Sequence, residues 1–269
     1  MHLPKLPQLL VIAALALLSS PSVSADHASN HTPNHTHEDA ATAQSVSFPA
    51  ADGIQITADL YQATSAQPKD TAIVVFHQAR SSRGEYGKIA PRLAALGYPV
   101  LAVDQRSGGS NSGVRNQTHA AAQDAGKSTG FLAARQDLVA AVDYAKSTLK
   151  PARVVVWGSS YSASLVLALA GEQPDWVDGA LAFSPGEYFR GELSVADAAK
   201  GIRVPTFITS AKGEWGNWSG IRAAIPSGDL TAFRPKGRGR HGSSTLTPVS
   251  SVAAKEYWQA VEGFLAAHF

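Results

Sequence analysis

The chain contains no cysteine. No disulfide, thiolate nucleophile or Cys-based metal site is therefore possible. Charge is also sparse. Only 16% of the residues are Asp, Glu, Lys or Arg, and the formal net charge is +2. The basic residues are scattered, and no basic stripe interleaves with aromatics, so a nucleic-acid partner is not expected. The one basic cluster, Arg234, Lys236, Arg238 and Arg240, reads first as a solvated loop and second as a draw for anionic substrates. Beyond residue 18 no run is long and apolar enough to cross a membrane.

The early apolar run is short. "LLVIAALALL" (9–18) follows a lone Lys5 and precedes "SSPSVSA" (19–25), with Val23 and Ala25 at the −3 and −1 positions. This pattern predicts a signal peptide over residues 1–25, cleaved after Ala25, and an exported product, periplasmic or secreted, with no stable membrane insertion afterwards. Residues 26–44 are polar and carry His27, His31, His35 and His37. Nothing periodic holds those imidazoles in one geometry, so the stretch reads as a disordered spacer rather than a metal site.

From residue 45 to 269 the pattern is that of one folded domain. Alternating segments around Asp52-Gly53 predict a β-hairpin. Apolar runs at 71–77, 99–104, 153–158, 179–184 and 205–211, with a last strand at 229–235, alternate with helical spacing at 86–97, 131–149, 163–171 and 251–269. The prediction is an α/β fold, a mostly parallel sheet covered by helices on both faces. A Gly/Ser/Asn-rich stretch fills 105–130.

In such sheets, sites form beyond the carboxyl ends of the strands. Three of those ends supply complementary chemistry. Gly158-Ser159-Ser160-Tyr161-Ser162 is a strand-to-helix turn, and Ser160 is the candidate nucleophile; Ser159 lies one residue early in that turn. A serine hydroxyl needs an imidazole to take its proton, and the imidazole needs a carboxylate to orient it. Of the histidines in the folded part, His241 alone occupies the loop after the last strand, unlike His77, His119 and His268. Glu214 is the favoured acid, because Ser160, Glu214, His241 follows the serine–acid–histidine chain order; Glu187, after the preceding strand, is the alternative. The oxyanion would be held by the Tyr161 N–H together with that of Gln78 or Ala79. Asp104 and Arg106 read as braces of their loop. Trp215, Trp218, Tyr188 and Phe189 are candidate lining of an acyl or aryl pocket.

These segments resemble the α/β-hydrolase superfamily. "LAALGYPVLAVDQRSGGSNSG", "VVVWGSSYSA", "VPTFITSAKGE" and "GRHGSS" look like its strand and loop after the oxyanion helix, its nucleophile elbow, its acid strand and its histidine loop. The compact plan is similar to dienelactone-hydrolase-like and small peptidase-like members. Dienelactone hydrolases proper use cysteine as nucleophile, a residue this chain does not have. Two positions depart from the common pattern: Gln78 follows His77 where glycine is usual, and Ser162 replaces the last glycine of the elbow. The resemblance implies a serine hydrolase acting on an ester or related acyl bond of a small molecule, without metal or organic cofactor. The short stretch between 184 and 205 implies no large cap, which leaves 105–130 as the candidate partial lid. The rival readings are a non-catalytic small-molecule-binding protein on the same fold, and an acyltransferase or peptidase using the same three side chains.

Overall fold

A computed structural model describes residues 42–269 apart from Ser227 and Ser250. The expected signal peptide and almost all of the histidine-bearing spacer lie outside the described residues.

The hairpin comes first. β1 (Ala43–Pro49) pairs antiparallel with β2 (Gln55–Tyr61), turning through Asp52 and Gly53. Then follow β3 (Thr71–Phe76), α1 (Ala90–Ala95), β4 (Val100–Val103), a two-residue ribbon of β5 (Ser110–Asn111) and β6 (Val114–Arg115), α2 (Gln117–Asp124) and α3 (Arg135–Tyr144). The second half runs β7 (Arg153–Ser159), α4 (Tyr161–Glu172), β8 (Gly179–Phe183), α5 (Val195–Ala199), β9 (Thr206–Thr209), α6 (Trp215–Ala224), β10 (Leu230–Phe233) and α7 (Val252–His268).

The main sheet has eight strands in the order β1-β2-β4-β3-β7-β8-β9-β10. β1, β2 and β4 are joined by antiparallel pairs, and every later pair is parallel. The inner strands are apolar throughout because both faces are covered. β3 shows this residue by residue. Val74 and Phe76 pack with Leu138, Val142 and Leu165 on one face, while Ile73 and Val75 pack with Leu93, Trp258 and Phe264 on the other. Successive side chains of a strand point to opposite faces, so one short run feeds two cores.

Several elements differ from the sequence expectation. The helix expected over 86–97 is a 3-10 turn at Arg83–Tyr86 followed by the short α1, with Pro91 in its first turn. The helix expected over 131–149 is built from a 3-10 turn at Leu132–Ala134, α3 and a π turn at Ala145–Leu149. The 105–130 stretch holds β5, β6 and α2, whose N-cap Asn116 accepts the His119 N–H at 2.7 Å. The helices α5 and α6, not expected from the sequence, cover the β8–β9 side.

Two buried cations tie this chain together. Arg106 bonds Asp137 at 2.7 Å and Asp52 of the hairpin turn at 2.7 Å. Arg83 bonds Asp104 at 2.6 Å and Asp59 at 2.9 Å. Asp104 and Arg106 thus brace their loop, as their place after β4 suggests.

Candidate active site

β7 runs directly into α4 through Ser160, which has φ 60° and ψ −124°. A non-glycine residue with positive φ is strained, and such strain concentrates where a side chain must be presented at a fixed point. The turn is tight enough to dictate its neighbour. A Cβ on Gly158 would stand 2.3 Å from the Ser162 carbonyl oxygen, so only glycine fits. The Ser160 N–H donates to Phe183 O at 2.8 Å and fixes the turn to the end of β8.

His241 and Glu214 meet this serine. His241 Nε2 lies 2.8 Å from Ser160 Oγ, and His241 Nδ1 lies 2.7 Å from Glu214 Oε1. With neutral imidazole, Nδ1–H donates to the carboxylate and Nε2 accepts the serine proton. The second carboxylate oxygen accepts the Ser184 hydroxyl at 2.6 Å, and Ser184 Oγ in turn accepts the Gly242 N–H at 2.8 Å. The acid and the histidine loop therefore share one tether at the end of β8. Gly242 has φ 63°, and a Cβ there would fall 2.3 Å from Ser159 Oγ. Ser159 Oγ accepts the Ser243 N–H at 2.9 Å, whereas the His241 ring meets Ser160.

The electrostatics follow the contacts. The bond from Glu214 raises the His241 pKa above its ordinary value against the opposing effect of burial, and the Glu214 and Glu85 charges add to the rise. Burial pushes the Glu214 carboxyl up, but its bonds to His241 and Ser184 outweigh that and leave its pKa lowered.

Glu187 stands elsewhere. Its carboxylate accepts the Val195 and Ala196 N–H groups, each at 2.8 Å, at the start of α5. Of the two acids left open by the sequence, Glu214 is the one in contact with His241.

The loop after β3 has an internal order that the sequence left open. The Gln78 N–H donates to Glu85 Oε2 at 2.9 Å. The Gln78 carbonyl accepts the His77 ring at 2.8 Å and the Ser81 N–H at 3.2 Å. His77 is completely buried, and burial lowers its pKa; its other nitrogen accepts the Gln105 N–H at 3.0 Å. The Gln78 N–H is thus occupied. The Ala79 N–H belongs to the peptide whose carbonyl end is pinned by His77 and Ser81. The Tyr161 N–H opens α4, where a helix has no internal acceptor for it.

The aromatic residues divide. Trp218 and Phe189 are packed into the core, and Trp215 packs against Trp218 in a tilted pair beneath the Arg222 and Arg234 guanidiniums. Phe189 nonetheless lines the cleft described below, which the two tryptophans do not. Tyr188 lines it too: it is half-exposed, its hydroxyl donates to Ser184 O at 2.9 Å, and it stands beside Ser160. Phe131, not singled out from the sequence, stacks on Tyr161 at 4.4 Å. Phe131 and Tyr188 flank a cleft of about 580 Å³. Among the described residues no cluster of His, Asp and Glu could hold a metal ion, and no helix is long and apolar enough to cross a membrane.

A mostly parallel sheet with serine, histidine and carboxylate in contact at its strand ends defines an α/β-hydrolase. The dienelactone hydrolase family model matches residues 58–213, more than half of the chain. The chain belongs to the dienelactone hydrolase family and is a carboxylesterase-like hydrolase. Solved structures share the fold at low identity. An esterase from Pyrococcus furiosus is 17% identical, with 85% of this chain and 91% of that chain covered and a TM-score of 0.62. A dienelactone hydrolase from Anabaena variabilis is 15% identical, with 82% and 98% covered and a TM-score of 0.59. A Butyrivibrio proteoclasticus protein with ferulic acid bound is 13% identical, with 81% and 99% covered and a TM-score of 0.60. No curated protein matches the chain in sequence.

Proposed function

We propose that the protein is an exported serine hydrolase that cleaves carboxyl esters of small molecules through an acyl-enzyme. The observation that carries this reading is the unbroken contact from Glu214 through His241 to Ser160, at 2.7 and 2.8 Å. Ser160 Oγ attacks the ester carbonyl as its proton passes to His241 Nε2. Glu214 holds the ring and stabilises the imidazolium. The N–H groups of Tyr161 and Ala79 receive the oxyanion, since that of Gln78 is taken by Glu85. His241 then returns the proton to the leaving alkoxide, and a water activated by the same ring releases the acid. No cofactor is called for by these steps. The signal-like start of the chain supports export after cleavage near Ala25.

The cleft beside Tyr188 and Phe131 suits a flat, unsaturated or aromatic acyl group, because exposed aromatic faces reward stacking. The test is hydrolysis of p-nitrophenyl esters of graded chain length, with an aryl ester and a lactone beside them. Turnover is expected for at least one ester and is expected to vanish in Ser160→Ala. Turnover that survives Ser160→Ala would overturn the reading.

A further inference from the structure

Glu85 is a buried carboxylic acid that the serine–histidine–glutamate relay does not use. It sits in the 3-10 turn Arg83–Tyr86, and only 8% of its surface is exposed. The turn that carries it is anchored on every side. The Tyr86 hydroxyl donates to Phe76 O at 2.7 Å, the Ser82 hydroxyl donates to Val114 O at 2.7 Å, and the Arg83 N–H donates to Asp104 at 2.7 Å. A side chain on such a turn is a fixed point. From it, Glu85 Oε2 reaches the Gln78 N–H at 2.9 Å, while the hydroxyls of Ser159 and Ser81 stand beside the carboxyl.

We propose that Glu85 is a positioning residue for the oxyanion hole, holding the Gln78 peptide so that the next N–H, that of Ala79, faces the substrate carbonyl. The inference rests on the serine-hydrolase reading above and adds a residue to it. The geometry is that of two consecutive peptide planes. In the first, the His77 carbonyl accepts the Ser162 hydroxyl at 2.6 Å, and the Gln78 N–H is held by Glu85. In the second, the Gln78 carbonyl is held by His77 and Ser81. In a trans peptide C=O and N–H point in opposite directions, so fixing the carbonyl aims the N–H. Without Glu85 the first plane keeps only one of its two ties, and a Gln78 N–H without its acceptor costs about 1–3 kcal/mol where it is buried. Turning that N–H outward would relieve the cost and rotate Ala79 with it. An oxyanion donor works only when aimed at the position that the charged oxygen will take.

Burial raises the Glu85 pKa, opposed by the Gln78 N–H, by the Ser159 and Ser81 hydroxyls and by the charge of His241. Glutamine, which keeps a carbonyl acceptor at the same reach and carries no charge, is accordingly the conservative replacement. Leucine fills the same space and offers no acceptor.

The experiment compares parent, Glu85→Gln and Glu85→Leu on an ester whose turnover is lost in Ser160→Ala. Thermal melting identifies the variants that fold. Glu85→Leu is expected to lower kcat about 10–100-fold, below the 10²–10³-fold cost of deleting a donor, with KM within about threefold. Glu85→Gln is expected to keep kcat within about threefold of the parent. The inference is overturned if folded Glu85→Leu keeps its kcat, if its loss falls on KM alone, or if Glu85→Gln falls as far as Glu85→Leu. Should Glu85→Leu not fold, the Gln variant alone decides: a kcat near the parent supports the inference and a tenfold loss overturns it. Ester turnover that survives Ser160→Ala sinks the serine reading itself, a result distinct from any of these.

Discussion

The Ser162 hydroxyl donates to the His77 carbonyl at 2.6 Å and accepts from Gln105 Nε2 at 2.6 Å. The serine that stands where the α/β-hydrolase pattern has its last elbow glycine therefore ties the Ser160 turn to the loop after β3. Ser162→Ala leaves a buried carbonyl and a buried amide N–H without this partner. A stability loss of about 1–3 kcal/mol is expected in urea unfolding. Ester kcat is expected to fall as well, because the same carbonyl opens the loop proposed to hold the oxyanion. A variant as stable and active as the parent would remove Ser162 from this role.

Glu214 raises the His241 pKa, and the imidazole must be neutral to accept the serine proton. Activity should therefore rise as pH climbs through a value above the ordinary histidine value of about 6.5. Glu214→Gln removes the charge that favours imidazolium. Its acidic limb of kcat/KM is expected at lower pH than in the parent, with kcat reduced by about 10²-fold or more. A limb that stays in place would detach Glu214 from His241.

Glu187 caps the start of α5 through two N–H groups. Glu187→Ala should cost about 1 kcal/mol of stability and leave kcat within about twofold. A large kcat loss with unchanged stability would return Glu187 to the catalytic relay.

Arg106 is 1% exposed and bonds the fully buried Asp137. Arg106→Leu leaves that carboxylate without its cation. A loss of about 3–5 kcal/mol is expected in urea unfolding. Arg106→Leu combined with Asp137→Leu should recover part of it, since no charge is then stranded. A double variant less stable than Arg106→Leu would contradict this.

The parts of the site carried by short local patterns were legible in the sequence. Gly158 and Ser160 stand between an apolar strand and an apolar helix, and His241 is the one histidine in the loop between the last strand and the closing helix. The hairpin at Asp52-Gly53 and the inward faces of α7 were legible for the same reason. What the sequence hid depends on contacts between distant segments. Nothing near Glu85 in the chain shows that it reaches back to the Gln78 N–H, and nothing in "TAIVVFHQAR" tells Gln78 from Ala79 as a donor. α2 buries only Thr118 and Ala122, so no apolar stripe marks it; the signal that could have found it is the N-cap Asn116. α6 carries Gly216 and Gly220, poor helix formers, which mask the helical spacing of its buried Trp218 and Ile221. Aromatic residues near strand ends are ambiguous without a fold: Trp218 and Phe189 pack inward, whereas Phe131, farther off in the chain, stacks on Tyr161.

Labelling with a fluorophosphonate, followed by peptide mass mapping, tests the catalytic role of Ser160 most directly. A single stoichiometric adduct on Ser160 is expected, with loss of ester turnover in step with labelling and no adduct in His241→Ala. An adduct on Ser159, or full ester turnover with Ser160 unlabelled, would contradict it.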